Sequence, residues 1–361
     1  MERIKSIIWS LVVLSLGFLA PLVGFCLTDV FIKFSKNNEN PIVYLSERVN
    51  LSAGQAGLAS IVRPSNISMI FVGDIMLGRG VENSVLKNGQ GDFSFLFEKT
   101  DFVKQADIAF GNLEGPIASV GEDVGSVYSF RFRPDALGGL IAAGFDVLSV
   151  ANNHAGDWGA NAFEENIFRL NKNYVYSVGG GFNKRDAQQV KILKWKGVKF
   201  GFLGFSDVGP NWFEAKEDEP GILMIKDSQA GEFSSLIKKA ASEVDVLIVS
   251  IHFGEEYQTS ANDRQRHLAK LAIDSGAKIV AGHHPHVIQE VEQYKGGIIA
   301  YSLGNFIFDQ NFSEETMEGL ALQIYFEGKE IIAVKKNKIK INNFFQPALQ
   351  ELWRGRPELV E

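Results

Sequence analysis

From Ile67 onward, short runs of β-branched and aromatic residues alternate with stretches whose apolar positions recur at helical spacing. The runs predict strands at Ser68–Val72, Ile108–Gly111, Val147–Val150, Lys199–Phe205, Val246–His252, Lys278–Ala281, Ile298–Ser302 and Leu320–Phe326. The helical spacing predicts helices at Leu96–Gln105, Ala136–Ala143, Ala160–Asn171, Phe233–Glu243 and Asp263–Ser275. Such alternation points to an α/β domain with substantial parallel pairing. No internal repeat is visible and nothing in the middle reads as a linker, so residues 66–345 read as one catalytic-type domain. Lys335–Glu361 is mixed in charge and reads as a loosely packed extension, with 346–361 as a C-terminal tail.

The beginning of the chain has a different pattern. Ile7 to Thr28 is a run of 22 residues without a charge, and about 20 apolar residues suffice for a helix to cross a bilayer. Arg3 and Lys5 precede it, which favours a cytoplasmic N-terminus and an extracytoplasmic domain, although Lys33 and Lys36 weaken the bias. The segment therefore reads as a single-pass transmembrane anchor in the cell membrane, within residues 1–36. Three alternatives fit less well. A cleaved signal would want a small-x-small site, a lipidated Cys26 would not follow bulky Phe25, and a core helix would carry more polar positions. Residues 37–65 are polar and aperiodic and read as a tether.

Length alone, 361 residues, suggests about two domains. Hydrophobic residues at 45% and charged ones at 22% exclude a disordered or collagen-like chain. A single cysteine excludes a disulfide framework and any Cys-rich zinc site within one chain. The net charge of −7 argues against a nucleic-acid partner. The 28 phenylalanines predict a Phe-rich core.

Polar residues gather at the carboxyl ends of the predicted strands, where open α/β sheets present their ligands. Asp74 follows the first, Asn112 and Glu114 the second, and Asn152, Asn153, His154 and Asp157 the third. His252, Glu255 and Glu256 follow a later one, then His283, His284 and His286, and finally Asn305. Imidazoles and carboxylates without thiolates suit Mn or Zn, with Fe also accommodated. Each histidine alone reads more readily as a satisfied core group, but the recurrence at strand ends favours one or two divalent ions per chain.

The strings GDIMLGR, NLEGPI, FRFRP (Phe130–Pro134), ANNHAGDWG, HFGEEY, GHHPHVIQ and YSLGNFIFD span Ile67–Asp309. In content and order they resemble the capsule-synthesis CapA family, the poly-γ-glutamate biosynthesis proteins, itself similar to calcineurin-like metallophosphoesterases. The resemblance implies a four-layer α/β/β/α sandwich, two metals and an outward-facing, membrane-anchored protein. It further implies metal-binding roles for Asp74, Asn153, His252, His284 and His286, and a substrate or leaving-group contact for His154. Two positions depart from the phosphoesterase pattern. Met76 stands where a histidine follows the first aspartate, and Glu114 is the nearest counterpart of a bridging aspartate.

Arg79 carries a fork suited to a phosphate or carboxylate, or to a plain surface ion pair. Arg131 and Arg133 alternate with Phe130 and Phe132, so they share one face of a short extended segment, either for anion recognition or simply exposed. Asp157 either orients His154 or caps the next helix. Glu255 or Glu256 reads as a general base or outer ligand, His283 is less suited as a ligand than His284 and His286, and His267 reads as structural. The expected activity is a metal-dependent hydrolase acting outside the membrane on an anionic polymer or phosphoester, with catalytic roles for Asp74 and His154. The alternative is a non-catalytic polymer-binding or export subunit working with ligase or membrane partners.

Overall fold

Along Ile67–Ile75 every second side chain faces the same way, and both sets are apolar and buried: Met69 and Phe71 on one side, Ile70 and Val72 on the other. A strand buried on both faces needs a layer over each, and the computed structural model shows what those layers are. It describes residues 66–226, 230–350 and 358–359. The expected anchor over 7–28 and tether over 37–65 lie outside the described residues. Among the described residues no helix is long and apolar enough to cross a membrane.

The strands in chain order are β1 (Ile67–Ile75), β2 (Ile108–Leu113), β3 (Val147–Ser149), β4 (Tyr176–Val178), β5 (Gly180–Gly181), β6 (Lys191–Trp195), β7 (Val198–Ser206) and β8 (Gly221–Ile222). They continue as β9 (Val246–His252), β10 (Ile279–His283), β11 (Val291–Tyr294), β12 (Gly297–Ala300), β13 (Asn305–Ile307), β14 (Glu318–Glu327), β15 (Glu330–Ile341), β16 (Pro347–Leu349) and β17 (Glu358–Leu359). The helices are α1 (Arg79–Asn88), α2 (Asp101–Lys104), α3 (Ala136–Ala143), α4 (Gly159–Lys172), α5 (Lys184–Ala187), α6 (Ala230–Ala241) and α7 (Asp263–Asp274).

One sheet runs β16-β15-β14-β1-β2-β3-β4, with β13 beside the end of β1 and β17 beside β15. The other runs β11-β12-β10-β9-β7-β6, and β5 and β8 form a small ribbon. The inner strands pair in parallel, as expected; antiparallel strands close both edges of the second sheet and one edge of the first, whose other edge is β4, parallel to β3. Three cores separate the layers. Met69, Phe71, Phe110, Phe202, Ile248 and Ile279 fill the space between the sheets. Val81 and Val85 of α1, Leu140 of α3 and Ile167 of α4 cover the outside of the first sheet. Phe233 and Ile237 of α6, with Leu268 and Ala272 of α7, cover the outside of the second. The result is helices, sheet, sheet, helices.

Two sequence expectations change. Leu96–Gln105 is not one helix but a 3₁₀ turn, Phe93–Phe97, followed by the single turn α2. Buried Thr100 breaks it, its hydroxyl donating to Phe97 O at 2.8 Å. Lys335–Ile341, expected within a loose extension, is the second half of β15, paired along β14, and Pro347–Leu349 adds β16 to its far edge. The lysines alternate with apolar residues there: Ile339 and Ile341 are buried while Lys340 is exposed, an alternation of covered and solvent-facing side chains that a count of charges hides.

The chain passes from the second sheet to the first between β12 and β13, and this crossing joins the sheets at one end. Leu303 N donates to Gly282 O at 3.1 Å, Leu320 N to Leu303 O at 2.8 Å, and Asp74 N to Gly304 O at 3.0 Å. The crossing lies so close that a Cβ on Gly73 would stand 1.8 Å from Gly304 O, and one on Gly282 2.0 Å from Tyr301 O. Both obstacles are backbone, so neither can swing aside. Gly73→Ala is expected to destabilise the protein by about 3 kcal/mol or more, the upper end of overpacking costs. Gly138→Ala, on the exposed face of α3 with nothing within 4 Å of the added carbon, is expected to gain about 0.5–1 kcal/mol. Urea midpoints at unchanged slope check both, and a neutral Gly73→Ala contradicts the close approach.

Candidate metal centre

The register of the strands assembles the site. In the first sheet Asp74 stands level with Asn112 on β2 and with Asn305 on β13. In the second, Ser206, His252 and His283 stand level on β7, β9 and β10. The crossing at Leu303 brings these two rows of strand ends together, and the loops after β3 and β10 add Asn153, His154, His284 and His286.

Asp74 is fully buried at the centre. Asn112 Nδ2 donates to its Oδ1 at 2.8 Å and His284 N donates to its Oδ2 at 3.2 Å. His283 Nδ1 lies 3.3 Å from Oδ1, and His286 Nδ1 3.3 Å from Oδ2. Burial alone would raise its pKa, but the two imidazoles outweigh burial and hold the carboxyl well below its usual range. Glu114 shows the opposite balance. Burial pushes it well up, the charge of His286 opposes this, and the nearby carboxylates of Asp74, Glu256 and Asp157 add to the rise.

The histidines divide in the same way. Burial lowers His252 well below its ordinary value and lowers His284 to about 3, so both rings are neutral near pH 7 and keep a lone pair for a ligand. His286 is also buried, but Glu114 and Asp74 reverse the effect and raise it to about 9. Its Nδ1 is held 3.0 Å from Asn305 Oδ1, and its Nε2 lies 3.6 Å from Glu114 Oε1. His252 Nε2 is 2.7 Å from Asn153 Oδ1, and its ring lies 4.9 Å from that of His284.

Asp157 orients His154. Its Oδ2 is 2.7 Å from His154 Nδ1, and it also accepts from Phe130 N and Ser126 Oγ, both at 2.9 Å. The His154 ring stacks on Phe130 at 3.9 Å, and its Nε2 lies 3.9 Å from Glu114 Oε1. The residue is thus fixed at one nitrogen and presents the other to the cluster.

The donor set fits a divalent ion. One ligand atom each from Asp74, Glu114 and His252 falls within 4.8 Å of the others, and all three residues are buried. Glu114 Oε1 and His284 Nδ1 are buried without a hydrogen-bond partner, a state that ordinarily costs about 1–3 kcal/mol per group. His284 and His286 also hold left-handed backbone, φ 99° and 58°, which side-chain-bearing residues adopt at a cost and mostly where function requires it.

The structure therefore brings together Asp74, Glu114, Asn153, His154, His252, His284 and His286. It does not add the arginines to this cluster. Arg79 forms an ion pair with Asp309 and lies 4.9 Å over Phe130, at the rim. Arg131 stacks 3.7 Å over Trp158, and Arg133 pairs with Asp135 at 2.9 Å on the surface. Phe130 and Phe132 are buried while Arg131 and Arg133 are not, as the alternation predicts, and each guanidinium has its own partner. Met76 is buried in the outer core of the first sheet, its sulfur accepting from Gly78 N at 3.2 Å. Sequence reasoning undervalued three residues. Asn112 links Asp74 to the second sheet, its amide 3.4 Å from His252 Nδ1. Asn152 Nδ2 donates to Asn112 Oδ1 at 3.2 Å and to Leu113 O at 2.8 Å. His283 flanks Asp74. Each sits at a strand end among apolar residues, a position where a buried amide or imidazole needs partners.

Comparison with known proteins agrees with the order of these motifs. The model of the family described as bacterial capsule synthesis protein PGA_cap matches residues 68–310. The chain is 35% identical over 278 residues to the PGA biosynthesis protein CapA of Bacillus subtilis, covering 76% of this chain and 72% of that one. It is 35% identical over 254 residues to the capsule biosynthesis protein CapA of Bacillus anthracis, covering 68% of this chain but 61% of the relative. A probable polyglutamine synthesis accessory protein of Mycobacterium tuberculosis is 25% identical over 286 residues, covering 68% and 75%. Among solved structures, a phosphatase of Mycoplasma pneumoniae aligns with a TM-score of 0.47 at 17% identity, covering 76% of this chain and 94% of that one. On the family match and the two 35% identical relatives, the chain belongs to the bacterial capsule synthesis PGA_cap family.

Proposed function

We propose that this chain is a divalent-metal-dependent hydrolase of capsule or poly-γ-glutamate biosynthesis, acting on an anionic polymer or a phosphoester. The carrying observation is the convergence of Asp74, Glu114 and His252, with the His284 ring beside that of His252, in one buried cluster that leaves a carboxylate oxygen and an imidazole nitrogen without a hydrogen-bond partner. Asp74, Glu114, Asn153, His252, His284 and His286 would hold one or two ions, with Mn and Zn best suited to the O and N donors. Such ions supply Lewis acidity and an activated water near neutral pH.

The chain's own residues complete the chemistry. Asp157 fixes Nδ1 of His154, so Nε2 is the atom that gives a proton to the leaving group. Asn112 holds Asp74 in place, and Asn305 does the same for His286. The apolar span 7–28 would anchor the domain in the cell membrane facing outward, near its partners. The second reading is a non-catalytic polymer-binding subunit of a synthesis complex. Met76, buried where the phosphoesterase pattern has a histidine, favours it, as does the accessory role in the name of the mycobacterial relative.

Metal analysis and hydrolysis assays of the full chain separate the two. The wild type is expected to retain Mn or Zn, and His284→Ala combined with His286→Ala to lose it. With added manganese, the wild type should cleave a phosphomonoester, a phosphodiester or poly-γ-glutamate. His154→Ala should lower kcat about 10²–10⁴-fold with metal content unchanged. Metal retention with no turnover of any of the three substrates favours the binding subunit.

Metal affinity should also depend on pH in a defined direction. Without metal, His286 carries a proton below about 9, and raised Glu114 shares in proton binding. A metal must displace such protons, so apparent affinity should rise about tenfold per pH unit for each proton lost. His252 and His284, already neutral, contribute nothing to this slope. Calorimetric titrations of Mn from pH 6 to pH 8 check it, and a flat profile contradicts the charge balance given for His286.

A further inference from the structure

The lysines in the second half of β15 stand over a cavity. Leu320 and Leu322 of β14 lie directly opposite Lys338 and Lys336 of β15, and residues opposite one another in a ladder share a face. Leu320 and Leu322 belong to the core between the sheets. Lys336, Lys338 and Lys340, at alternate positions, therefore project from that same inner face, the first two half-buried and the third exposed. A cavity of about 360 Å³ occupies this flank, with Val287, Ile288, Val291 and Leu320 as its apolar lining and Lys336 and Lys338 beside them. We propose that the flank is a binding subsite for a polycarboxylate chain whose carboxylates are separated by methylene groups. The lysine row takes the carboxylates and the apolar lining takes the methylenes. This deepens the reading of the protein as one that acts on an anionic polymer, and rests on that reading.

Alternate residues of a strand recur about every 6.7 Å, so the ammoniums form a row rather than a single anion pocket, and a row suits a repeating anion. The flank is not uniformly basic. Glu318 pairs with Lys338 at 2.6 Å, and Glu315 also lines the cavity. Lys336, Lys338 and Lys340 against these two acids leave an excess of positive charge, on a chain whose net charge is −7. The Lys338–Glu318 pair is partly exposed, its side chains 35% and 20% accessible, and such pairs are weak enough for an incoming carboxylate to exchange. A polyphosphate would satisfy the lysines but has no apolar stretch to set on Val287, Ile288, Val291 and Leu320.

The subsite adjoins the buried cluster. Val287 follows His286 directly in the chain, and Thr259, which also lines the cavity, belongs to the loop that Tyr257 N ties to Pro285 O at 2.8 Å. Asn305, the partner of His286 Nδ1, donates through Nδ2 to Thr316 O at 2.9 Å, next to Glu315. A polymer held on the flank thus lies against the segment that carries His286. The row of lysines keeps one stretch of the chain in place while another stretch reaches the centre.

The test is binding rather than turnover, measured on the full chain in excess chelator so that no metal takes part. The probe is a fluorescein-labelled poly-γ-glutamate oligomer, followed by fluorescence anisotropy. The wild type is expected to bind it, and less tightly as salt is added. Lys336→Gln and Lys338→Gln should each weaken binding about two- to fivefold, and Lys338→Arg should keep it. Lys87→Gln, at an exposed position of α1, should change nothing. A second measurement needs no variant: carbodiimide coupling of the oligomer to the wild type, mapped by mass spectrometry, should mark Lys336, Lys338 or Lys340. No binding by the wild type, unchanged affinity in both glutamine variants, or coupling confined to other lysines overturns the subsite and leaves the metal centre standing. Inorganic polyphosphate of equal charge that binds as tightly overturns the polycarboxylate assignment. Oligomer binding through these lysines, by a protein that retains no metal and cleaves nothing, supports the subsite and removes the hydrolase reading.

Discussion

Everything at the functional end of this molecule is arranged around the buried carboxylate of Asp74. A carboxylate with no exposure is tolerable only when its lone pairs are engaged. Here an amide from β2, a backbone N–H from the β10 loop and imidazoles from His283 and His286 surround it. Those partners come from both sheets, so the group that costs most to bury is also the one that aligns the two halves of the site. The same balance produces the contrast with Glu114. Both acids are buried, but Asp74 has donors on both oxygens, whereas one oxygen of Glu114 has none. A cation would resolve that imbalance, so the buried groups are compatible with metal binding.

Much of the scaffold was readable from periodicity. The strands of the two sheet interiors are nearly continuous runs of apolar residues, as burial on both faces requires, and α4, α6 and α7 carry clear helical spacing. The edges were less readable. The second half of β15 mixes lysines with isoleucines because alternate side chains there reach toward solvent, so its composition imitates a solvated tail. α1 escaped notice because its buried face is only Val81, Ser84 and Val85 in an otherwise polar stretch.

For the site, position at the strand ends was the informative signal, since chain direction and parallel pairing carry those residues to one rim. What spacing could not convey was pairing across the sheets. The pairing of Arg79 with Asp309 joins residues 230 positions apart, and the support of His286 by Asn305 depends on the crossing at Leu303. The sequence fits Asp157 equally to orienting His154 and to capping a helix; the 2.7 Å contact assigns it to His154, while α4 begins without a side-chain cap. Met76 could be recognised as a departure from the phosphoesterase pattern, but only its burial shows that the thioether belongs to the hydrophobic core.

The most direct measurement is a crystal structure of the protein grown with zinc, with anomalous differences recorded at the zinc edge. The account predicts a peak enclosed by Asp74, Glu114 and His252, about 2 Å from the ligating oxygens and nitrogens. Saturating zinc with no peak among these residues, or with peaks confined to other surfaces of the molecule, would contradict it.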